Sequence, residues 1–327
     1  MRILSGIQPT GNPHWGNYFG ANRQYVTLQG SKDEAYYFIA NLHALTTVRD
    51  RERLSQQTFD MAVYFLAIGL DPEKSTLFVQ SDVPEVTQLT WLLMTCCPMG
   101  LLERCHAYKE KLAKGLTADA GLFTYPVLMA ADILVYDSDL VPVGEDQQQH
   151  LEVARDLAQT FNFNFGETFI LPKAYVVPAT GKVPGTDGEK MSKSYHNTLE
   201  VIEDVKAQKK KIMRIETDCR PMEDPKDPET DNLYLLYKLF ATEEQRQEME
   251  ALYLRGGFGY GQIKKELARI SEEYFAPIRE RYARFSADPS YVKDVLAEGA
   301  RRARSKAAEV LDRAQSNCGI CLPKFGD

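Results

Sequence analysis

Short apolar runs separated by helix-length periodic stretches dominate the first half of the chain, and they leave few folds open. Ala35-Tyr36-Tyr37-Phe38-Ile39-Ala40 and Ser75-Thr76-Leu77-Phe78-Val79-Gln80 read as buried strands. Between them Leu54, Phe59, Met61, Ala62, Phe65 and Leu66 fall at helical spacing, and Gly69-Leu70-Asp71-Pro72 stops that helix. Met1 to Gly6 opens as another buried strand. Asp139-Leu140-Val141-Pro142-Val143 reads as one more, provided Pro142, which has no N–H to give a ladder, lies at an end. Strands alternating with helices imply βαβ units and a parallel sheet. Such sheets bind ligands beyond the carboxyl ends of their strands. Ser5-Gly6-Ile7-Gln8-Pro9-Thr10-Gly11 and Val143-Gly144-Glu145-Asp146 both fall at strand-to-helix junctions, where a nucleotide is expected.

The pattern then changes. Pro172 through Gly188 is rich in proline and glycine and reads as a linker or mobile loop. From Thr198 onward the pattern is helical, interrupted by a loop at Arg220-Pro221 to Pro228, and a last long helix is expected over Val292 to Asp312. At 327 residues the chain is long enough for two domains, and 44% apolar with 26% charged residues is an ordinary soluble composition. The N-terminus lacks the charged and long apolar regions of a signal peptide, and no apolar stretch is long enough to span a bilayer. The six cysteines are unevenly spread and form no extracellular disulfide framework. Cys318 and Cys321 are a lone pair without the second pair a zinc site needs. These features together point to the cytosol.

A net charge of −7 disfavours indiscriminate nucleic-acid binding, although a specific partner needs only a local basic surface. Lys206, Lys209, Lys210, Lys211 and Arg214 supply one such surface, and Arg301, Arg302, Arg304 and Lys306 another. Either set could instead be a solvated helix face.

Four elements carry chemistry. In the first, Gly6, Gly11, Gly16 and Gly20 alternate with Gln8, Thr10, His14, Asn17 and Asn22, which suits phosphate and ribose oxygens approached closely by backbone, or a plain turn beside a helix cap. In the second, Lys190-Met191-Ser192-Lys193-Ser194 puts two lysines three apart behind Gly181, Gly185 and Gly188. Flexible point charges there can follow phosphate as charge moves to a leaving group. The competing reading is an exposed charged turn. In the third, Leu128 to Leu134, Met129, Asp132 and Ile133 share one helix face. An aspartate in such apolar company needs a partner, either a salt bridge or cap, or a donor on an apolar ligand such as an indole N–H. The fourth, Val141 to His150, follows Gly144 with Glu145 and Asp146, which fits a ribose or a helix start. Glu145, Gln149 and His150 gain no settled role from sequence.

In order and spacing these elements resemble the two signatures of class I aminoacyl-tRNA synthetases, KMSKS and a variant of HIGH. More closely, Ser5 to Pro9, Gly16-Asn17, Tyr125 to Leu134, Val141 to His150 and KMSKS resemble the bacterial-type tryptophanyl-tRNA synthetases over nearly the whole chain. The resemblance implies an α/β fold: a doubly wound Rossmann-type parallel sheet over residues 1–190 that ends in the KMSKS loop. A mostly helical anticodon-binding domain would follow over 191–290, and a C-terminal helix over 291–327 would pack back on the first domain. It implies an ATP site of Gln8, Pro9, Thr10, Gly16, Asn17, Gly144, Glu145, Asp146, Val183, Lys190, Met191, Ser192, Lys193 and Ser194. It implies a tryptophan site of Asp132, Tyr125, Met129, Val141, Val143, Gln147, His43 and Gly6. Lys190, Lys193, Lys111, His14 and Asn17 are the implied catalytic set. Mg²⁺ is expected on the ATP phosphates rather than on a protein site, with tRNA(Trp) and a second subunit of a homodimer as partners.

Some positions depart from the family. His14-Trp15 stands for Thr-Ile, Leu4 for an aromatic, and Asn41-Leu42 for Asp-Gln ahead of the pocket histidine. With Cys219 the one cysteine of residues 191–290, the iron–sulfur cluster that some relatives carry in that helical domain is not expected. A tyrosyl enzyme is the nearest rival, but a phenol both donates and accepts, and Asp132 stands alone among apolar residues. A tryptophan-sensing paralogue would lack the phosphate residues that this chain keeps.

Overall fold

The computed structural model describes residues 1–29, 34–105, 108–109, 119–143, 148–176 and 183–321. Five strands form one sheet in the order β3-β2-β1-β4-β5. They are β1 (Arg2–Ile7), β2 (Glu34–Ile39), β3 (Ser75–Val79), β4 (Leu140–Val143) and β5 (Lys173–Val176), and every pairing is parallel. Strand order reverses between β1 and β4, and the carboxyl ends of strands at such a switch point are where open α/β sheets bind ligands.

Alternation along β2 explains why its run is apolar throughout. Ala35, Tyr37 and Ile39 join one buried cluster, whereas Tyr36, Phe38 and Ala40 join the other. A strand buried on both faces has no polar side, so its sequence shows a continuous apolar run. The first face is covered by α1 (Arg51–Ile68), which Asp50 caps and Gly69 ends in a left-handed conformation at φ 111°. The second is covered by α2 (Glu85–Thr95), α3 (Ala120–Leu134) and α4 (Gln148–Phe165).

Beyond the sheet the chain is helical, with α5 (Val205–Ile212), α6 (Asn232–Tyr237), α7 (Glu243–Arg255), α8 (Tyr260–Ser286) and α9 (Pro289–Asn317). This helical part shares the cluster of the first sheet face: Leu233, Tyr253 and Phe275 belong to the same core as Trp15, Met61 and Tyr37. The last helix bridges both clusters. Val292 and Val295 lie in the first, Ala303, Ala307 and Val310 in the second. It covers β3, the edge strand, so closely that a Cβ on Gly299 would stand 1.8 Å from the Leu77 carbonyl oxygen.

Two expectations need correction, and one open alternative is decided. The stretch from Pro172 to Gly188 is not merely a linker, because Lys173–Val176 forms the edge strand β5. Lys173, Ala174 and Tyr175 are exposed there, so the strand carries no burial pattern to read. Pro142 lies inside β4 rather than at its end; among the described residues β1 pairs with β4 at Ile3↔Leu140 alone, so proline's missing N–H falls beyond that ladder. The basic residues of α9 are not a free cationic surface. Arg301 and Arg302 pair with Glu298, Arg304 with Glu85, and Lys306 with Asp137 and Glu309. Among the described residues no helix is long and apolar enough to cross a membrane.

Candidate active site at the strand switch point

A cavity of about 580 Å³ opens at the carboxyl ends of β1 and β4. Leu4, Phe38, Met129, Ile133 and Val141 give it apolar walls, and Gln8, His43, Tyr125, Asp132 and His150 reach it with polar atoms. That mix of apolar lining and few convergent polar groups is what a small-molecule site requires. Gly6 is part of the wall, and a Cβ there would strike the Phe38 ring at 2.3 Å.

Met129, Asp132 and Ile133 face the cavity from α3, as their helical spacing predicts. Asp132 is 1% exposed yet not left bare. His43 Nε2 lies 2.8 Å from its Oδ2, and the Gln80 amide donates to both Oδ1 and Oδ2 at 2.8 Å. Tyr125 lies across from His43 and hydrogen-bonds His150 Nε2 at 2.7 Å. Burial, then Cys105, pushes the Tyr125 hydroxyl up to about 12, so it stays protonated at neutral pH. Neither Gln80 nor the Tyr125–His150 pair was read from the sequence. Gln80 looked like the last residue of an apolar strand.

The two signature segments meet beside this cavity. His14 caps the turn Trp15–Asn17: its Nδ1 accepts from the Asn17 N–H at 3.3 Å, and Asn17 Oδ1 accepts from the His14 N–H at 3.1 Å. Burial first, then the charges of Lys193 and Lys190, lower His14 to about 4, leaving a neutral imidazole at pH 7. A Cβ on Gly16 would sit 3.0 Å from the His14 ring and 3.5 Å from Met191 Cβ. Backbone bonds from Trp15 N to Leu199 O at 2.8 Å and from Val201 N to Pro13 O at 3.0 Å fasten the chain after KMSKS to this turn.

The KMSKS segment is itself braced. Met191 N donates to Val183 O at 3.0 Å, and Asn197 bonds Asp187 Oδ1, the Lys190 carbonyl and the Ser192 N–H. Val183 and Met191 bury their side chains in the core, whereas Lys190, Lys193 and Ser194 are exposed and Ser192 is half-buried. Lys193 Nζ donates to the Thr10 carbonyl at 3.1 Å. Gln8 lines the cavity, Pro9 is buried and Thr10 is exposed. Lys111, Gly144, Glu145, Asp146 and Gln147 lie outside the described residues, as does the Val143 side chain.

Two departures gain a physical reason. The Trp15 ring is fully buried, edge-on to Phe240 with centroids 4.8 Å apart, so it points into the helical core and not into the cavity. Asn41 donates to Ser81 Oγ at 2.8 Å and accepts from the Ser81 N–H at 3.1 Å, a reciprocal pair in which an ionised aspartate could only accept.

A Rossmann-type sheet with a braced lysine loop against a glycine turn defines a nucleotide-dependent synthetase site. The chain belongs to the class I tRNA synthetases for tryptophan and tyrosine, whose family pattern matches residues 1–276. It is 65% identical to a tryptophan–tRNA ligase of Rhodopirellula baltica over 98% of this chain and 100% of the relative. It is 50% identical to that of Fusobacterium nucleatum over 98% of both chains. The crystal structure of tryptophanyl-tRNA synthetase from Campylobacter jejuni complexed with ADP and tryptophan superposes with a TM-score of 0.92 at 48% identity, covering 98% of this chain and 100% of the other. The chain is of this bacterial tryptophan type.

Proposed function

We propose that the chain activates L-tryptophan with ATP, giving tryptophanyl-adenylate and pyrophosphate, and then transfers the tryptophanyl group to the 3′-terminal ribose of tRNA(Trp). The observation that carries this reading is the buried Asp132 carboxylate among Met129, Ile133 and Val141 on the wall of the cavity at the switch point of the sheet. An indole is flat, apolar and carries one donor, which a carboxylate with a spare acceptor site can select. Met129, Val141 and Gly6 give the ring its walls, with Tyr125, His43, Gln147 and Val143 around it.

The tryptophan carboxylate attacks the α-phosphorus, and the bond to the bridging oxygen breaks as pyrophosphate leaves with the electron pair. No side-chain base is needed, because the nucleophile is already ionised. Positioning and charge stabilisation supply the rate. Lys190, Lys193 and Lys111 answer the growing pyrophosphate charge. His14, neutral at pH 7, and Asn17 hold the turn that meets the phosphates. Gln8, Pro9, Thr10, Gly16, Gly144, Glu145, Asp146, Ser192 and Ser194 complete the ATP site, to which Val183 and Met191 bring backbone only. ATP enters as its Mg²⁺ complex, the ion carried by the phosphates. The Campylobacter complex with ADP and tryptophan supports both ligands.

Residues 1–190 act as the catalytic domain, 191–290 as the anticodon-binding domain and 291–327 as the helix that returns to the sheet. Lys206, Lys209, Lys210 and Arg214 are exposed on and just after α5, and among the described residues no salt bridge takes them, which suits a tRNA backbone. The enzyme works as a cytoplasmic homodimer. Tryptophan-dependent exchange of labelled pyrophosphate into ATP tests the reading. Exchange is expected with tryptophan and at most a trace with tyrosine; the reverse preference would overturn it.

A further inference from the structure

Gln80 has no role in the reaction as described, yet it is fully buried at the carboxyl end of β3 and stands directly behind Asp132. Its Nε2 donates to both carboxylate oxygens at 2.8 Å, and its Oε1 accepts from the backbone N–H of Leu42 at 3.0 Å and of His43 at 3.4 Å. One amide thus fixes both the carboxylate and the turn that carries His43.

We propose that Gln80 is a positioning residue for tryptophan selection, clamping Asp132 so that Oδ1 presents an open acceptor site to the indole N–H. This rests on the reading of Asp132 as the indole acceptor. Each carboxylate oxygen offers about two lone-pair sites. Oδ2 is taken by His43 and Gln80, whereas among the described residues Oδ1 accepts from Gln80 alone. A side chain with freedom to rotate would offer either oxygen, or neither, in the direction of the ring. The clamp removes that freedom before tryptophan arrives, so little ordering remains to be done on binding. An apolar residue would fill the same space without a polar group to satisfy, but it would leave the buried carboxylate short of donors. Glutamine has the reach to bridge a carboxylate on α3 and backbone at Leu42. Asparagine is one methylene shorter.

The test compares L-tryptophan with its benzothiophene analogue, in which sulfur replaces the indole N–H at nearly the same shape. In Gln80→Met the KM for tryptophan in pyrophosphate exchange should rise about 10-fold, the size of one hydrogen bond to a charged group. Its kcat should change less, because the bond serves ground state and transition state alike. Constants for the analogue should stay within about twofold of the parent enzyme, since the analogue has no N–H for the clamp to serve. Equal loss on both substrates would overturn the proposal and leave Gln80 a packing residue. If the methionine variant does not fold, Gln80→Asn carries the same comparison, with the same direction expected. Asp132→Ala, measured in parallel, keeps the two claims apart. If it erases the preference for the N–H and the Gln80 variants do not, only the Gln80 proposal fails. If Asp132→Ala leaves the preference intact, the acceptor reading itself fails.

Discussion

Lys193 donates from its ammonium to the Thr10 carbonyl at 3.1 Å, across 183 residues of chain. The second lysine of KMSKS is therefore held against the glycine turn after β1. Although the Lys193 side chain as a whole is exposed, partial desolvation of its ammonium lowers its pKa, and Glu200 opposes the shift. If this charge meets the leaving pyrophosphate, Lys193→Ala should lower kcat for adenylate formation by about 10²-fold or more, the usual cost of one preorganised electrostatic donor. The KM for tryptophan should change little. A near-normal exchange rate in the variant would remove Lys193 from the mechanism.

His14 gives the fold a pH dependence with a definite sign. Its folded pKa, about 4, lies below the 6.5 of a free imidazole, so between those values the unfolded chain binds a proton that the folded chain does not. Its contribution is whole above about pH 6.5 and is lost as pH falls towards 4. His14→Asn keeps a side chain suited to the N-cap and removes the titration. Melting temperatures followed from pH 7 to pH 4 should fall less steeply for the variant than for the parent. Parallel curves would contradict the assignment.

Much of this site was legible in the sequence, and what escaped did so for physical reasons. Strands β2 and β3 announced themselves because burial on both faces leaves an unbroken apolar run. Asp132 stood out because a carboxylate in that company needs a partner, but the choice between salt bridge and ligand acceptor was not legible. The structure shows why: His43 and Gln80 already bond it, and Oδ1 still has capacity. Gln80 was invisible because its partners lie 38 and 52 residues away. Strand β5 escaped because Lys173, Ala174 and Tyr175 are all exposed, so no alternation of inward and outward residues marks them as a strand. The choice between a basic surface and a solvated face for the α9 residues was not legible because Glu85 and Asp137, which neutralise two of them, come from distant parts of the chain.

The contact between α9 and the sheet predicts an intolerance to one methyl group. In Gly299→Ala the new Cβ would lie 1.8 Å from the Leu77 carbonyl oxygen, so helix and edge strand must separate. A loss of about 1–3 kcal/mol is expected, as for other overpacked cores. Gly261→Ala in α8 is the control, because nothing lies within 4 Å of its Cβ position. The control should be neutral or slightly stabilising. Thermal unfolding of the two variants side by side checks this.

If α5 meets tRNA, reversing charge at Lys209 and Lys210 should weaken aminoacylation while pyrophosphate exchange keeps its rate. The deficit should shrink as salt rises, because phosphate contacts are already screened there. Aminoacylation and exchange measured at two salt concentrations decide it. Equal loss of both activities would place these lysines elsewhere in the function.

The central claim is that Asp132 reads the indole N–H, and the exchange rates of Asp132→Ala with tryptophan and with phenylalanine test it most directly. Stability alone no longer separates the alternatives, because removing the carboxylate strips His43 and Gln80 of a buried partner in either case. Selectivity does separate them. A hydrogen bond to a charged group is worth about 1.5–3 kcal/mol, so kcat/KM for tryptophan should fall about 10- to 150-fold on the folded variant. Phenylalanine, with no donor, should lose far less, and the ratio between the two substrates should narrow accordingly. An unchanged ratio would mean that Asp132 only holds the fold together and that another group recognises the indole.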